Sequence, residues 1–454
     1  MEAREVKTAE DALTLIRERE LDFVKVGVFD IDGIMRGKYM STKKFESSLK
    51  GGFGFCDVVL GWDSDDQLYD NVKFTGWHTG YPDAPVRILP HTCRELPFEE
   101  TVLFLGEFVD HAEAICPRGV LRKVIKKAAD MGLMAQGALE YEFFVFEETP
   151  HSVRAKNYKD LRPIAPGSFG YSMLRSTVWA ELYTELLEVS EVMDFGIEGL
   201  HEETGPGVME AAIAVDDALA AADKAALFKL FTKVVAQNRD LMATFMAKWS
   251  KDWPGQSGHL HISLWDDDGA SAFYDASDEH GMSAKMKHFV AGCQLLLPQF
   301  LCLVAPTINS FSRLVPGAWA PTNATWGVEN RTCALRVIPG SAKSQRLEYR
   351  IGAADANPYL AMAATLASGL YGIENELELP PPLVGNAYTQ ELDASLKLPG
   401  TLWEAAEALE KSDAARAAFG DEFVEHFAAT RKWEEREFRK AITDWELRRY
   451  FEII

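Results

Sequence analysis

Cysteine is sparse in this chain. Six residues (Cys56, Cys93, Cys116, Cys293, Cys302, Cys333) are scattered over 454 positions, with no CxxC pair and no metal-ligand spacing. A chain this long needs no disulfides to hold a core, so reduced thiols in a reducing compartment are expected. Basic residues are also in deficit: 47 Lys and Arg against 69 Asp and Glu give a formal charge of -22. That balance argues against nucleic acid or an anionic membrane as a partner. No run of about 18 apolar residues is present, which removes a simple membrane span. The opening Met1-Glu2-Ala3-Arg4-Glu5 has no apolar leader segment, so a cytoplasmic protein is expected. There is no P-loop, and no GxGxxG opens a helix after a strand. If a nucleotide binds, metals and arginines have to hold its phosphates. Internal repeats and low-complexity linkers are missing as well.

What is present is charge on alternate residues inside apolar runs. Glu140-Tyr141-Glu142 precedes Phe143-Phe144-Val145-Phe146, and His259-Leu260-His261 precedes Ile262-Ser263-Leu264-Trp265. Arg346-Leu347-Glu348-Tyr349-Arg350 repeats the pattern. Residues i, i+2 and i+4 of a strand share one face, so these carboxylates, imidazoles and guanidiniums point into a shared interior. Buried charge is costly unless opposite charge or a metal compensates it. One such pair reads most simply as the wet face of a strand; three with matched ligand types read as a metal-and-anion site. Glu202 and Glu210 flank a Gly/Pro turn that can bring both together, and Pro254-Gly255-Gln256-Ser257-Gly258 leads into the histidine strand. Five arginines (Arg313, Arg331, Arg336, Arg346, Arg350) fall within 38 residues, suited to carboxylate and phosphate recognition. Oxygen ligands with a lone histidine suit Mg²⁺ or Mn²⁺ better than Zn²⁺.

At 454 residues, with 47% hydrophobic and 26% charged positions, the chain is long enough for two domains. Residues 1–112 read as a small α+β domain, with a helix over 9–20, strands over 23–31 and 34–39, and a hairpin turn at Asp32-Gly33. Residues 113–454 carry the motifs. Helices are expected over Val120–Met131, Ala211–Met246 and Ala284–Phe300, from Asn357-Pro358-Tyr359 onward, and from Trp403 to an aromatic-rich end.

The motifs, in order, resemble the glutamine synthetase superfamily. They are Glu140-Tyr141-Glu142-Phe143-Phe144; Glu202 with Glu210; Ser257-Gly258-His259-Leu260-His261; Asn309-Ser310-Phe311-Ser312-Arg313-Leu314-Val315-Pro316-Gly317; Asn330-Arg331 through Arg336; Arg346 to Arg350; and Asp355-Ala356-Asn357-Pro358. The resemblance implies an α+β fold: an N-terminal β-grasp-like domain and a catalytic domain with a curved antiparallel sheet. It further implies a double-ring dodecamer with active sites between subunits. ATP and two or three Mg²⁺ or Mn²⁺ ions would serve a reaction through γ-glutamyl phosphate. One metal would sit on Glu142, Glu202 and Glu210, a second on Glu140, His259 and Glu348. Arg313, Arg350 and Gly255 match glutamate-binding positions, Arg331 the position facing the transferred phosphoryl group, and His261, Ser263, Arg336 and Arg346 positions around the nucleotide.

Departures from the family pattern bear on the acceptor. Trp319 stands where true glutamine synthetases carry the flap glutamate, Pro254 where an asparagine is usual, and Asp57 is near the ammonium-loop aspartate but out of register. An ammonium ion needs carboxylates to replace its hydration, whereas an aromatic favours an organic amine. A γ-glutamyl ligase acting on a mono- or polyamine is therefore expected, with Asp63, Asp65 and Asp66 able to hold a distal ammonium. The alternatives are an ammonia-dependent glutamine synthetase and a non-catalytic assembly of the same fold. Asn386-Ala387-Tyr388 only loosely echoes the family's adenylylation segment.

Overall fold

A computed structural model describes all 454 residues. The N-terminal sheet joins β1 (Phe23–Phe29), β2 (Met35–Ser41), β3 (Phe53–Cys56), β4 (Asp83–Glu95) and β5 (Val102–Phe108) in the order β2-β1-β5-β4-β3. Only β1 and β5 run parallel. The hairpin expected at Asp32-Gly33 forms, with Phe29 paired to Met35. Asp30 closes it by accepting from the amides of Asp32 (3.1 Å) and Ile34 (2.8 Å). Helices α1 (Ala9–Glu18) and α2 (Thr42–Gly51) cover this sheet and bury Leu15, Ile16 and Phe45.

The larger sheet is built on β6 (Leu133–Phe146). It includes β7 (Ile197–Glu202), β8 (Val208–Ile213), β9 (Asp216–Asp217), β10 (Met242–Thr244), β11 (Gly258–Asp266), β12 (Trp326–Val328), β13 (Leu335–Ile338) and β14 (Arg346–Tyr349). The order is β12-β13-β14-β11-β6-β8-β7, with β9 and β10 also on β6. The sheet is antiparallel as expected except for β12 and β13, which run parallel.

Its apolar face packs on helices α3 (Pro117–Asp130), α4 (Ala218–Asn238), α5 (Ala284–Val304) and α7 (Pro358–Glu374), while the short α6 (Ile308–Arg313) packs on the later helix Asp421–Phe438. Tyr141 and Phe143 meet Phe228 of α4 at ring-centroid distances of 6.1 and 5.9 Å. Alternation then turns Glu140 and Glu142 to the opposite face. The helix expected over Ala211–Met246 is shorter. Ala211, Ala212 and Ile213 finish β8, the helix runs Ala218–Asn238, and Met242–Thr244 returns as β10. Helix α5 is long and apolar enough to cross a membrane, but 72% of its most apolar window is buried inside the protein.

Helix α8 (Asp421–Phe438) ties the loops of the N-terminal sheet to the rest of the chain. His426 bonds the Leu60 carbonyl at 2.8 Å, Arg431 donates to Asp32 at 2.8 Å, and Trp433 donates to Asp63 at 3.1 Å. The last helix, Asp444–Tyr450, buries none of its residues, and Trp445, Leu447 and Phe451 stay exposed.

Candidate active site

The polar face of the larger sheet is laid out in rungs. Glu142 of β6 faces Glu210 of β8, which faces His201 of β7. Glu140 faces His259 of β11, and His261 faces Glu348 of β14, which faces Arg336 of β13. Residues opposite each other across a strand pair share one face, so the pairing register alone collects these side chains. They line a cavity of 520 Å³ together with Tyr171, Glu203, Gly255, Arg313, Trp319, Arg331, Arg346 and Arg350.

Oxygen and imidazole donors crowd its floor. His259 Nδ1 lies 3.3 Å from Glu140 Oε2 and 3.5 Å from Glu348 Oε1. His201 Nε2 lies 3.2 Å from Glu210 Oε1, and its Nδ1 lies 3.9 Å from Glu203 Oε2. Three sets have donor atoms within 4.8 Å of one another: Glu140–His261–Glu348, Glu140–Glu210–His259 and His201–Glu203–Glu210. Burial pushes the Glu210 carboxyl up to about 8; His201 opposes this, and the charges of Glu140 and Glu142 add to it. Crowded carboxylates that resist ionisation are what a divalent cation relieves, so the donor set fits a hard metal. Burial also acts on Glu140 and Glu348, but it is outweighed. Hydrogen bonds from His259 and His261 hold Glu140 well below the usual carboxylate range. The charges of His259 and Arg350 hold Glu348 at about 2.

Glu202 is not brought to this site. It pairs with Met209, one residue out of step with the His201–Glu210 rung, and a one-residue step reverses the face. Its carboxylate is 1% exposed, within 3.4 Å of the Tyr183 hydroxyl, and its Oε2 has no partner. Glu203, just past the end of β7, enters the cavity instead. Glu203, His201 and Tyr171 were not singled out from the sequence. Pairing the two strands across the Gly205-Pro206-Gly207 turn, rather than counting along the chain, sets His201 opposite Glu210 and Glu203 on the same face as His201. Tyr171 lies tilted against His201 with ring centroids 4.5 Å apart, and no local pattern announces it.

Arg313 ends α6 and is 2% exposed, donating to the carbonyls of Ile351 (3.0 Å) and Arg350 (3.1 Å). Burial draws its guanidinium down to about 10. Gly255 lies flat against its stem: a β-carbon there would sit 2.6 Å from Arg313 Cγ and 2.7 Å from the Ala247 carbonyl oxygen, so only glycine fits. Arg350 binds Glu348 through Nη1, while its buried Nε has no partner. Arg336 donates to Glu348 at 2.8 Å.

A second cavity of 350 Å³ shares Glu140, His261 and Arg346 with the first and adds Ser263, Gln136, Ile213 and Val215. Ser263 thus belongs to this neighbouring space, and His261 borders both and joins the Glu140–His261–Glu348 donor set. Trp319 lies on the rim, 58% exposed, with φ of +59° beside Gly317 at +78°. Left-handed backbone is unusual for a bulky side chain, so the flap is a tight turn. The Tyr388 hydroxyl donates to the Ala320 carbonyl at 3.0 Å and anchors it.

Asp57 does not reach the cavity of its own chain. It is 2% exposed just after β3 and accepts from the Thr75 hydroxyl at 2.7 Å. Asp63 is taken up by the amides of Asp65 and Gln67 (both 2.9 Å) and by Trp433, while Asp66 pairs with Arg36 at 2.8 Å. Of that acidic loop only Asp65 keeps a free, exposed carboxylate.

A row of carboxylates and imidazoles beneath converging arginines defines a site for metals and anionic substrates. The chain belongs to the glutamine synthetase family: residues 114–450 match the glutamine synthetase catalytic domain. It is 48% identical over its whole length to type-1 glutamine synthetase 2 of Dictyostelium discoideum, covering 88% of that protein. It is 36% identical to a glutamate–isopropylamine ligase of a Pseudomonas species, with 97% of each chain covered. It is 38% identical to the γ-glutamylethanolamide synthetase GlnA4 of Streptomyces coelicolor, with 98% and 95% covered. Among solved structures, a GmaS/ADP complex superposes with a TM-score of 0.85 at 25% identity, covering 97% of this chain and 99% of that one.

Proposed function

We propose that the protein is an ATP-dependent ligase that joins the γ-carboxylate of glutamate to an organic primary amine. The observation that carries this reading is the cavity itself, in which the floor of carboxylates and imidazoles is capped by a flap presenting Trp319. One divalent ion would be held by Glu142, Glu203 and Glu210, and a second by Glu140, His259 and Glu348, with His261 in reach of the latter. Metal bound there would neutralise phosphate oxygens and align the phosphoryl transfer.

The chain's own groups do the rest. Arg313 and Arg350 hold the glutamate, with the unpartnered Arg350 Nε available to its carboxylate, while the Gly255 backbone meets its amino end. Arg331 faces the transferred phosphoryl group. Arg336, Arg346, His261 and Ser263 surround the nucleotide, whose base end suits the second, more apolar cavity. The γ-carboxylate attacks the γ-phosphorus of ATP, giving γ-glutamyl phosphate and ADP. The deprotonated amine then attacks the acyl carbon and phosphate leaves. A ring in which the neighbour's Gly54–Trp62 loop closes each site accounts for Asp57 standing away from its own cavity. Such a ring also gives the exposed terminal helix a surface to cover. The division between domains falls at residues 112 and 113.

Phosphate release with ATP, Mg²⁺ and glutamate, measured against ammonia, alkylamines, ethanolamine and diamines, tests the proposal. An organic amine should outpace ammonia. The Dictyostelium relative favours the ammonia reading, and a preference for ammonia in the panel would establish it.

A further inference from the structure

A separate cavity of 380 Å³ lies between the β1–β2 hairpin and the helices of the catalytic domain. It shares no lining residue with the two active-site cavities. Its charges are unevenly satisfied. Asp32 is bound by Arg431 at 2.8 Å, and Arg431 also donates to the Pro306 carbonyl at 2.9 Å. Asp355 accepts from the hydroxyls of Thr307 (2.7 Å) and Ser310 (2.9 Å). Glu434 lies near Arg431, whose charge opposes the effect of burial on its carboxyl.

Two lysines form no ion pair: Lys229, where the charge of Asp355 opposes the effect of burial, and Lys233, which is exposed. Lys229 Nζ donates only to the Ala356 carbonyl, at 3.0 Å. Lys233, one helical turn on, has no hydrogen bond or ion pair and meets only the Phe245 ring, 5.7 Å from its centroid. Lys229 stands at the same distance from that ring. Like charges four residues apart on a helix repel, and an anion between them removes that cost. We propose that this cavity is a second ligand site, taking a small anion that carries a carboxylate or phosphate group between Lys229 and Lys233. The site goes beyond the ligase reading and stands independently of it, while its coupling to glutamate rests on that reading.

The cavity is placed to be felt at the active site. Its lining residues Thr307 and Asn309 belong to the start of α6, whose last residue is Arg313. Asp355 fixes the Thr307 and Ser310 hydroxyls that cap this helix. Asn309 exchanges two 2.7 Å bonds with the backbone of Lys248, in the segment leading to Gly255. An anion that draws Lys229 away from Ala356 acts on the residue next to Asp355. Glutamate affinity should respond, and the anion's affinity should respond equally to glutamate.

Calorimetric titration of the full-length assembly with inorganic phosphate and, separately, with succinate tests the site in the wild type and in Lys233→Gln. Binding of at least one probe should weaken about tenfold in the variant, as expected for losing one charged contact. Without probe, kcat and the glutamate KM should be the same in both proteins. Whichever probe loses affinity identifies the group recognised. That probe should shift the glutamate KM of the wild type and not of the variant. Equal affinities in the two proteins, or no binding of either probe to the wild type, would overturn the site. Binding through Lys233 with an unchanged glutamate KM would overturn the coupling.

Discussion

His201 and Glu210 face each other across β7 and β8 with Nε2 and Oε1 3.2 Å apart, and this rung decides which neighbouring glutamate enters the active site. Glu203 shares its face, and Glu202 does not. Glu203→Gln should therefore cut kcat/KM by more than about 100-fold and weaken Mg²⁺ binding, while Glu202→Gln stays within about tenfold of wild type. Mg²⁺ titrations of activity on both variants separate the two residues. Equal losses would remove the register argument.

Trp319 is the aromatic of the flap, and its contact with an alkylammonium or alkyl group is worth about 0.5–2 kcal/mol. Replacing it with glutamate, Trp319→Glu, should lower kcat/KM for organic amines several-fold to about 30-fold. It should raise the rate with ammonia, because a carboxylate then replaces the ammonium ion's hydration. Paired kinetics with both acceptors check this.

Gly255→Ala places a methyl 2.6 Å from Arg313 Cγ, and the rigid carbonyl of Ala247 on the other side leaves no escape. The side chain that must move is the one assigned to glutamate. The glutamate KM should rise about tenfold or more with a smaller change in the KM for ATP, as expected for a misplaced binding group.

His426 is buried against Phe74 and bonded to the Leu60 carbonyl, and burial draws its imidazole down to about 4 from an ordinary value of 6.5. A base whose folded value is depressed contributes stability that is fully present above pH 6.5 and is lost as the pH falls toward 4. At pH 5 this group alone should have removed about 2 kcal/mol. Urea unfolding at pH 7 and pH 5 should show His426→Phe less stable than wild type at pH 7, with a smaller fall between the two. An identical fall in both proteins would exclude His426 as the source.

The parts of the site legible in the sequence are those where spacing within one strand carries the information. Glu140 with Glu142, His259 with His261, and Glu348 with Arg346 and Arg350 each lie on a continuous strand or at its end, so counting in twos places them correctly. Glu202 lies across a turn from Glu210, where the face a side chain takes depends on pairing register rather than on spacing. The helix expected from Ala211 failed for a related reason: an alanine-rich run passes from β8 into α4 with no change of composition. Asp63 and Asp66 looked free because their partners, Trp433 and Arg36, lie elsewhere in the fold, and no local pattern names them.

The most direct test gives the enzyme ATP, Mg²⁺, glutamate and an equimolar mixture of ammonium and one organic amine from the panel that supports phosphate release. The products are then weighed by mass spectrometry. A γ-glutamyl amide of the organic amine in excess over glutamine is the result this account requires. Glutamine as the main product would contradict it and return the site, Trp319 included, to the use of ammonia.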